Sequence, residues 1–437
     1  MRRPNVTGSP PSRREFIAAC AGVLGASRLT GSAASPESPP PSADKIFRLR
    51  PGGHPTGFDP WIEILEEAFR HNVREVSRLS GGTPILAVIK NNAYGLGDQL
   101  VGPIVAACEQ VAGLACVRVA EALAMRAAGV RKPILNMAEA SDEEIVELAR
   151  HEVRPSVWLD DAPARLERAA KRLKRAVPMH VYLDTGMGRE GMPDHRARTW
   201  LNALCTSRSV RVDGTYMMFT HDLDFDREQL SRFVRFTDQA RQAGLTLGRL
   251  HASPSFEVVY LPEARLDMVR PGNLLFGNYS PDPKVPPPTQ PDLKTVFRLC
   301  ARIARLEQLR EGESASFNRR YVASKPTWIA LLPVGHTDGY PAAAAGKAQV
   351  LIRGRLYPIV SVISSIHTVV EIGDEKSVEV GDIATLIGPD DPAIAPHAVA
   401  QYAGMSFYSM VTKMNALLPR RVVSSAPRSA RLEERLS

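Results

Sequence analysis

Hydrophobic residues recur with two different periods along this chain of 437 residues. From about residue 58 to 280, short apolar runs rich in β-branched residues alternate with longer segments whose apolar positions are three and four apart, as in alternating strands and helices. From 292 to 423, apolar and polar positions alternate over short segments, which is typical of strands with one buried face. The pattern predicts an α/β region followed by a mostly β region.

The alternation in the first region predicts a parallel sheet covered by helices. Its strand candidates are residues 61–64, 84–89, 179–183, 215–219 and 266–269. Its helix candidates are residues 65–79, 121–128, 142–150 and 163–175. A (β/α)8 TIM barrel takes about 250 residues, which is close to the length of this region. A doubly wound sheet would give the same pattern, so the pattern alone leaves both architectures open.

Strand signals in the second region are separated by glycine turns and fall at residues 297–306, 327–332, 350–360, 368–372 and 380–387. Proline-rich residues 281–291 separate the two regions, and proline stiffens such a stretch into an extended linker. We therefore expect a barrel over 58–280 and a C-terminal β domain over 292–423. Residues 35–57 form a Pro/Ser-rich spacer with a strand leading into the fold, and the polar tail 424–437 is expected to be disordered.

The first 34 residues have the features of an export signal. Arg13 and Arg14 are followed by Phe16 at the expected offset, by a short apolar stretch at 18–26, and by small residues suited to cleavage. A frayed basic amino terminus is the alternative. We expect a twin-arginine signal over 1–34, which would make the mature protein periplasmic or secreted. The twin-arginine route carries folded cargo, which suits a protein that acquires a cofactor before export.

The net charge of +8 does not indicate a nucleic-acid partner, because much of it lies at the termini. Residues 1–34 carry a net charge of +4, and the segment from Arg420 onward adds more arginines. No basic groove interleaved with aromatic residues is evident. After residue 34, no apolar run approaches the roughly 20 residues that cross a bilayer. The cysteines lack C-x-x-C spacing, so we expect no membrane span and no metal site.

Lys90 stands at the end of the strand candidate 84–89 and opens a loop that contains Gly95 and Gly97. Barrel folds place their chemistry at the carboxyl ends of the strands, and a lysine there is suited to Schiff-base chemistry. For an isolated lysine, a solvated surface role is the simpler alternative. The sequence around it, Lys-Asn-Asn-Ala-Tyr-Gly, favours the chemical role.

This string resembles the lysine motif of alanine racemases, fold-type III enzymes that use pyridoxal 5'-phosphate (PLP). The resemblance covers residues from about 58 to 421 and implies that Lys90 holds PLP covalently and serves as one catalytic base, while Tyr94 contacts the cofactor phosphate. Asp-Thr-Gly-Met-Gly-Arg-Glu-Gly at 184–191 resembles a second family motif. Its arginine, here Arg189, binds the substrate carboxylate in the family.

The resemblance also assigns residues to the cofactor phosphate and ring. Ser255, Gly272 and Asn273 match phosphate-binding residues of the family, and Tyr408 matches its second phosphate-binding tyrosine. Arg270 matches the arginine that faces the pyridine nitrogen. Because a guanidinium keeps its proton, that nitrogen stays unprotonated, which favours simple reprotonation over transamination. Without this context, Arg270 would be interpreted as part of a surface ion pair.

Residues 335–340 depart from the family at the second catalytic base. His336 stands where the family has a tyrosine contributed by the other subunit. An imidazole accepts a proton at neutral pH without the activation that a phenol needs, so His336 is a candidate base. A structural histidine with lost racemisation is the alternative. Ser365 and Ile366 replace a methionine and an aspartate that complete the partner's pocket, so the resemblance places Ser365 at the substrate.

Three more departures surround the candidate site. Tyr182 replaces a lysine that is carbamylated in many family members and steadies the carboxylate-binding arginine, so Arg189 must be held differently here. Met218 replaces a histidine that packs on the cofactor ring, and Pro254 replaces an asparagine near the phosphate. The changes concentrate at the substrate end of the expected pocket.

These expectations combine into an exported, PLP-dependent, homodimeric racemase. It would interconvert L- and D-alanine, or a wider set of small amino acids, with Lys90 and His336 as the two bases in a site shared between subunits. The altered second base leaves a PLP-dependent lyase or epimerase open as one alternative. A non-catalytic PLP-binding protein is another, although the retained Arg189 argues against it.

Overall fold

The computed structural model describes residues 57–282 and 284–424. The predicted export signal at 1–34 lies outside these residues, as do nearly all of the predicted spacer and tail. Within the described part of the chain, no helix is long and apolar enough to span a membrane. No group of three or more His, Cys, Asp or Glu side chains there could hold a metal ion.

Eight parallel strands form the closed barrel that the sequence predicts. They are Ile85–Val88, Val111–Cys116, Ile134–Asn136, Val153–Val157, Val177–Asp184, Val210–Tyr216, Arg249–Pro254 and Met268–Arg270. Each strand pairs with its neighbours in the ring, and Met268–Arg270 pairs with Ile85–Val88 to close it. Closure excludes the doubly wound sheet. A two-residue strand, Met192–Pro193, pairs with Val177–Asp184 outside the ring.

Helices follow the barrel strands. The α-helices of this region are Glu66–Leu79, Asn91–Tyr94, Asp98–Ala106, Val119–Ala127, Asp142–Arg150, Ala162–Leu173, Asp194–Thr206, Leu223–Gln242 and Ser255–Tyr260, with short 3-10 helices at Pro262–Ala264 and Asn273–Phe276. Their apolar spacing explains them: Ala162–Leu173 buries Leu166, Ala169 and Ala170 on one face. Helix Asp142–Arg150 has the predicted bounds, because the Ser141 side chain caps its first turn.

The second region is mostly β, as predicted. A six-stranded sheet has the order Arg355–Pro358, Gln349–Ile352, Ile383–Ile387, Phe297–Arg302, Trp61–Leu65, Arg420–Val423. A three-stranded sheet has the order Arg305–Leu309, Thr327–Leu332, Thr368–Gly373, and a two-stranded sheet joins Ser314–Ala315 to Tyr321–Val322. The region also contains α-helices Pro396–Tyr402 and Phe407–Val411, and 3-10 helices Phe317–Arg319, His336–Asp338, Ala342–Ala344 and Pro392–Ile394.

One strand prediction was wrong in its placement. Residues 61–64 were expected to open the barrel, but Trp61–Leu65 pairs antiparallel with Phe297–Arg302 and parallel with Arg420–Val423 in the second region's sheet. Partners distant in sequence decide this: the buried Glu63 carboxylate forms ion pairs with Arg298 and Arg421. Burial alone would raise the pKa of Glu63, but the two guanidinium groups hold it below its usual value.

Candidate active site

Lys90 follows strand Ile85–Val88 and lies half-buried at the carboxyl end of the barrel. The next four residues, 91–94, have φ values of 55°, 53°, 50° and 54°. Left-handed backbone costs a non-glycine residue about 1–2 kcal/mol. The Tyr94 N–H donates to the Lys90 carbonyl at 2.8 Å, and the Glu121 carboxylate accepts the Asn92 N–H at 3.1 Å. A strained turn that its surroundings hold in place is typical of a functional site.

The second domain supports this turn from the other side. A side chain at Gly95 would place its Cβ 2.4 Å from the Val411 carbonyl oxygen, so only glycine fits there. The Arg420 guanidinium donates to the Gly95 carbonyl at 2.8 Å. The Asn91 amide donates to the Tyr408 hydroxyl at 2.6 Å. The lysine turn therefore takes its shape from both domains.

Tyr94 and Tyr408 lie near Lys90 in a cluster of polar groups, with Ser255, Gly272 and Asn273, that we call the polar recess. The Tyr94 ring stacks on Phe276 with centroids 4.2 Å apart and meets the Tyr408 ring edge-on at 5.3 Å. A Cβ at Gly272 would lie 2.1 Å from the Tyr94 hydroxyl oxygen. The Tyr94 hydroxyl has no hydrogen-bond partner among the described residues. The Gly272 backbone and the Tyr94 hydroxyl are thus in close contact, and the resemblance assigns both residues to a phosphate site.

Ser255 and Asn273 lie at the same recess, although one predicted donor is already occupied. The Ser255 hydroxyl oxygen accepts the N–H groups of Gly272 at 3.0 Å and Leu274 at 3.3 Å. The Gly272 N–H is therefore already bonded within the protein. The Ser255 O–H remains available, because the bonds it forms use only its oxygen. Asn273 is the first residue of its 3-10 helix, so its N–H has no intrahelical partner.

Arg270 is buried, with 1% of its surface exposed, at the end of the last barrel strand. Its two terminal nitrogens donate to His251 Nδ1 at 2.8 Å and to the carbonyl oxygens of His251, Met217 and Ala252 at 2.6, 2.5 and 3.0 Å. Burial lowers its pKa to about 10, so it stays charged at neutral pH. Its remaining donor, Nε, has no partner among the described residues. One directed N–H is thus left for a ligand.

The backbone turn that leads to Arg189 is held by the carboxylate of Asp184. Asp184 accepts the backbone N–H groups of Gly186, Met187 and Gly188 at 2.9, 2.8 and 3.0 Å. The turn leaves the Arg189 side chain 57% exposed, with the Glu190 carboxylate 3.7 Å away as its ion-pair partner. The guanidinium is consequently free to bind a carboxylate.

Tyr182, which the resemblance led us to expect in place of a lysine, lies close to Arg189. Its ring is buried between Tyr216, stacked at 4.4 Å, and Trp158, edge-on at 5.5 Å. Its hydroxyl is buried and has no hydrogen-bond partner among the described residues. Burial raises the pKa of Tyr182 to about 12, although the nearby Arg189 charge opposes the rise. The buried Tyr182 hydroxyl therefore lies near Arg189.

The Lys90 amine and Arg189 influence each other through their charges. Burial, followed by the Arg189 guanidinium, lowers the pKa of Lys90, while the Glu190 and Glu121 carboxylates oppose the change. Among the described residues, no hydrogen bond or ion pair engages the amine. A larger fraction of Lys90 is therefore neutral, and able to act as nucleophile or base, than for a solvated lysine.

His336 and Ser365 lie in the second domain, together with each other and apart from the Lys90 cluster. The His336 N–H donates to the Ser364 carbonyl at 2.9 Å, and the Thr337 N–H donates to the Ser365 carbonyl at 3.0 Å. His336 and Ser365 are both exposed. In the described part of this single chain, no hydrogen bond, ion pair or ring contact joins either of them to Lys90 or Arg270.

Sequence reasoning overlooked several supporting residues. Asn91 binds Tyr408, and His251 accepts from Arg270, yet both stand inside or beside motifs that were recognised. His221 and Glu257 form a further pair, 2.8 Å apart, at the carboxyl end of the barrel. Their signal was weak, because 36 residues separate them and neither belongs to a recognised motif.

Comparisons with known proteins agree with this geometry. Residues 64–280 match the model of the alanine racemase N-terminal domain, and residues 296–422 match that of the C-terminal domain. Similar proteins include an alanine racemase of Syntrophobacter fumaroxidans, 33% identical over 80% of this chain and 94% of its own. Another is the alanine racemase of Desulfovibrio desulfuricans, 33% identical over 82% of this chain and 97% of its own.

Solved structures give the same result. An alanine racemase from D-cycloserine-producing Streptomyces lavendulae is 27% identical with a TM-score of 0.75, over 85% of this chain and 99% of its own. The alanine racemase of Streptomyces coelicolor is 28% identical with a TM-score of 0.74, over 84% of this chain and 99% of its own. The arrangement of a barrel followed by a mostly β domain is shared with these enzymes.

Proposed function

The chain belongs to the alanine racemase family, and on that premise we propose that it is an exported PLP-dependent amino-acid racemase. One observation carries the proposal. At the carboxyl end of the barrel, the half-buried Lys90 lies near the polar recess and near the Arg270 guanidinium, whose Nε–H is unbonded among the described residues. Each corresponds to a different part of the cofactor: the aldehyde, the phosphate and the pyridine nitrogen.

The residues present fit PLP. Ser255 and Tyr94 offer hydroxyl donors and Asn273 offers a backbone N–H for the phosphate, while the missing Cβ at Gly272 leaves room for the Tyr94 hydroxyl. Arg270 presents Nε where a ring nitrogen needs a donor that keeps its proton. When bound, PLP delocalises negative charge from the substrate α-carbon and so acidifies its proton.

Lys90 would hold the cofactor and then act on one face of the substrate. Its lowered pKa favours the neutral amine, which is the form that could hold the cofactor and accept the α-proton. Arg189, exposed and on a turn fixed by Asp184, would fix the substrate carboxylate. Holding that carboxylate orients the α-proton toward the base.

The opposite face requires a base that this single chain does not place beside Lys90. We assign it to His336 of a second subunit in a homodimer. The His336 side chain is exposed. Its 3-10 turn is tightly packed, because a Cβ at Gly335 would lie 2.2 Å from the Ser364 carbonyl oxygen. Both features support a side chain presented outward. Ser365 lies beside that turn and would border the substrate. A serine there leaves room for side chains larger than that of alanine.

A borohydride experiment tests the cofactor assignment. Reduction of the mature, PLP-saturated protein should attach the cofactor mass to the peptide that contains Lys90, and Lys90→Ala should remove the adduct. An adduct on another lysine, or none, would contradict the proposal.

A chiral assay in deuterated water tests the reaction. The mature protein should convert L-alanine into both enantiomers with deuterium at the α-carbon, and a panel of other small amino acids defines the range. A new carbon skeleton would instead indicate a lyase, and an unchanged substrate with bound PLP would indicate a non-catalytic binding protein.

Export needs its own experiment, since the signal lies outside the described residues. In cell fractionation, the full chain should appear outside the cytoplasm, whereas its Arg13→Lys/Arg14→Lys variant should be retained in the cytoplasm. Equal distribution of the two proteins would contradict twin-arginine export.

A further inference from the structure

A cavity opens at the amino end of the barrel, opposite the candidate active site. Its volume is about 550 Å³, and it is lined by His180, Arg154, Arg211, Asp213, Arg249 and Met268, among others. Arg154, Arg211, Arg249 and Met268 are the first or second residues of their strands, whereas Lys90 follows a strand and Arg270 ends one. The cavity is thus distinct from the recess that would hold PLP.

The charges that line this cavity do not cancel. The Asp213 carboxylate accepts from Arg211 at 2.7 Å and from Arg154 at 3.1 Å. Arg249 forms no ion pair with any described residue, and the hydrogen-bond partner of its guanidinium is the Met268 sulfur at 3.9 Å. One carboxylate among three guanidinium groups leaves two positive charges, which favours an anion.

His180 joins this cavity to the active site through hydrogen bonds inside the barrel. Its Nδ1 lies 2.9 Å from His251 Nε2, and His251 Nδ1 lies 2.8 Å from an Arg270 terminal nitrogen. His180 and His251 are buried, with 6% and 0% of their surfaces exposed. The chain Arg270, His251, His180 therefore spans the barrel interior from one end to the other.

The arginine fixes the direction of every hydrogen bond in this chain. A guanidinium has only donors, so His251 Nδ1 must accept and His251 Nε2 must carry the proton. His180 Nδ1 then accepts, which leaves the proton on His180 Nε2, a nitrogen with no partner among the described residues. Burial lowers the pKa of His180 to about 3 and that of His251 well below its usual value, so both rings are neutral.

We propose that this cavity binds a small oxyanion, on the Nε2–H of His180 and the guanidinium of Arg249, and that His180 and His251 transmit its presence to Arg270. An oxyanion that accepts from His180 Nε2 makes Nδ1 of the same ring a stronger acceptor, and the effect passes through His251. Arg270 then donates more strongly toward His251. Its Nε becomes a weaker donor at the opposite end of the barrel.

Nitrogen-15 NMR of the protein labelled at its histidines, saturated with PLP, tests this proposal. Inorganic phosphate should move the His180 and His251 resonances along a saturable curve, while chloride at equal ionic strength should not. Acetate and succinate distinguish a phosphate source from a carboxylate source. No histidine belongs to the PLP phosphate recess, so phosphate bound there would not reproduce the shifts.

Two arginine variants provide the matched comparison. Arg249→Gln should raise the half-saturating phosphate concentration about tenfold, as expected for loss of a charged hydrogen bond. Arg227→Gln removes the same charge from the exposed face of helix Leu223–Gln242 and should change nothing. Absence of saturation, or equal behaviour of the two variants, overturns the anion site. Movement of His180 without His251 overturns the transmission to Arg270.

Discussion

The cofactor end and the substrate end of the candidate site differ in how completely one chain builds them. At the cofactor end, Tyr94 and Arg270 are 3% and 1% exposed, and ring contacts or hydrogen bonds fix their positions. At the substrate end, Arg189 is 57% exposed, the Tyr182 hydroxyl has no partner among the described residues, and His336 points outward.

The difference shows where the family pattern is free to change. Rigid packing around the phosphate recess leaves little room for substitution, because each group there supports another. Two of the residues expected to depart from the family pattern, His336 and Ser365, are exposed, whereas the third, Tyr182, is packed inside the barrel.

The largest expected effect comes from a substitution that changes the substrate end alone. His336→Phe should slow α-proton exchange by about 10²–10⁴-fold for one enantiomer, as expected for loss of a general base, and far less for the other. PLP content should stay unchanged, because Lys90 and the recess are intact. His367→Phe, at another exposed histidine of the same domain, is the control. Equal losses for both enantiomers would exclude a one-face role.

The next prediction breaks the cofactor end. Gly272→Ala should weaken PLP binding by up to about 100-fold, since a Cβ would overlap the Tyr94 hydroxyl and displace groups by about an ångström. Removal of that hydroxyl leaves Cζ as the nearest atom, 3.2 Å away. The Gly272→Ala/Tyr94→Phe double variant should therefore recover part of the loss in a PLP titration. A double variant no better than Gly272→Ala would refute the steric explanation.

Tyr182→Phe should separate stability from activity at the substrate end. Because the variant deletes a buried hydroxyl without a partner, the free energy of unfolding should rise by about 1 kcal/mol. The KM for substrate should rise if that hydroxyl serves the Arg189 region. Tyr216→Phe is the matched control, since the stacked Tyr216 hydroxyl bonds to Ser156 at 2.6 Å and its loss should destabilise the fold. Denaturant unfolding gives the first quantity and initial rates the second.

The last prediction concerns the pH dependence of stability, not catalysis. Burial, then the Glu257 charge, raises the pKa of Asp226 to about 6 from the usual 3.8. The folded state favours the protonated carboxyl, so its contribution to stability is complete below pH 3.8 and is lost as the pH rises through 6. Asp226→Asn should match the native protein near pH 4 and exceed it by up to about 3 kcal/mol at pH 8.

Thermal unfolding across this pH range measures the difference. Asp238→Asn, at an exposed position of the same helix, is the control. A constant difference between Asp226→Asn and the native protein at every pH would show that Asp226 does not titrate as proposed.

Sequence patterns predicted the barrel and the β domain because period and length report which faces are buried. The same patterns placed residues 61–64 in the wrong sheet, because the sequence of a five-residue apolar strand does not show which sheet it joins. Motifs pointed to Lys90, Arg189 and Arg270, because each stands in a short and specific string of residues. The His251–His180 contact and the His221–Glu257 pair arise only when distant strands come together, so no local pattern could predict them.

The strand Trp61–Leu65 has a consequence for biosynthesis. It lies between Phe297–Arg302 and Arg420–Val423, so the first described strand has no complete sheet until the last one has left the ribosome. The same final segment supplies Arg420, which holds the turn after Lys90. Translation must therefore pass Arg420 before the lysine turn receives its last support.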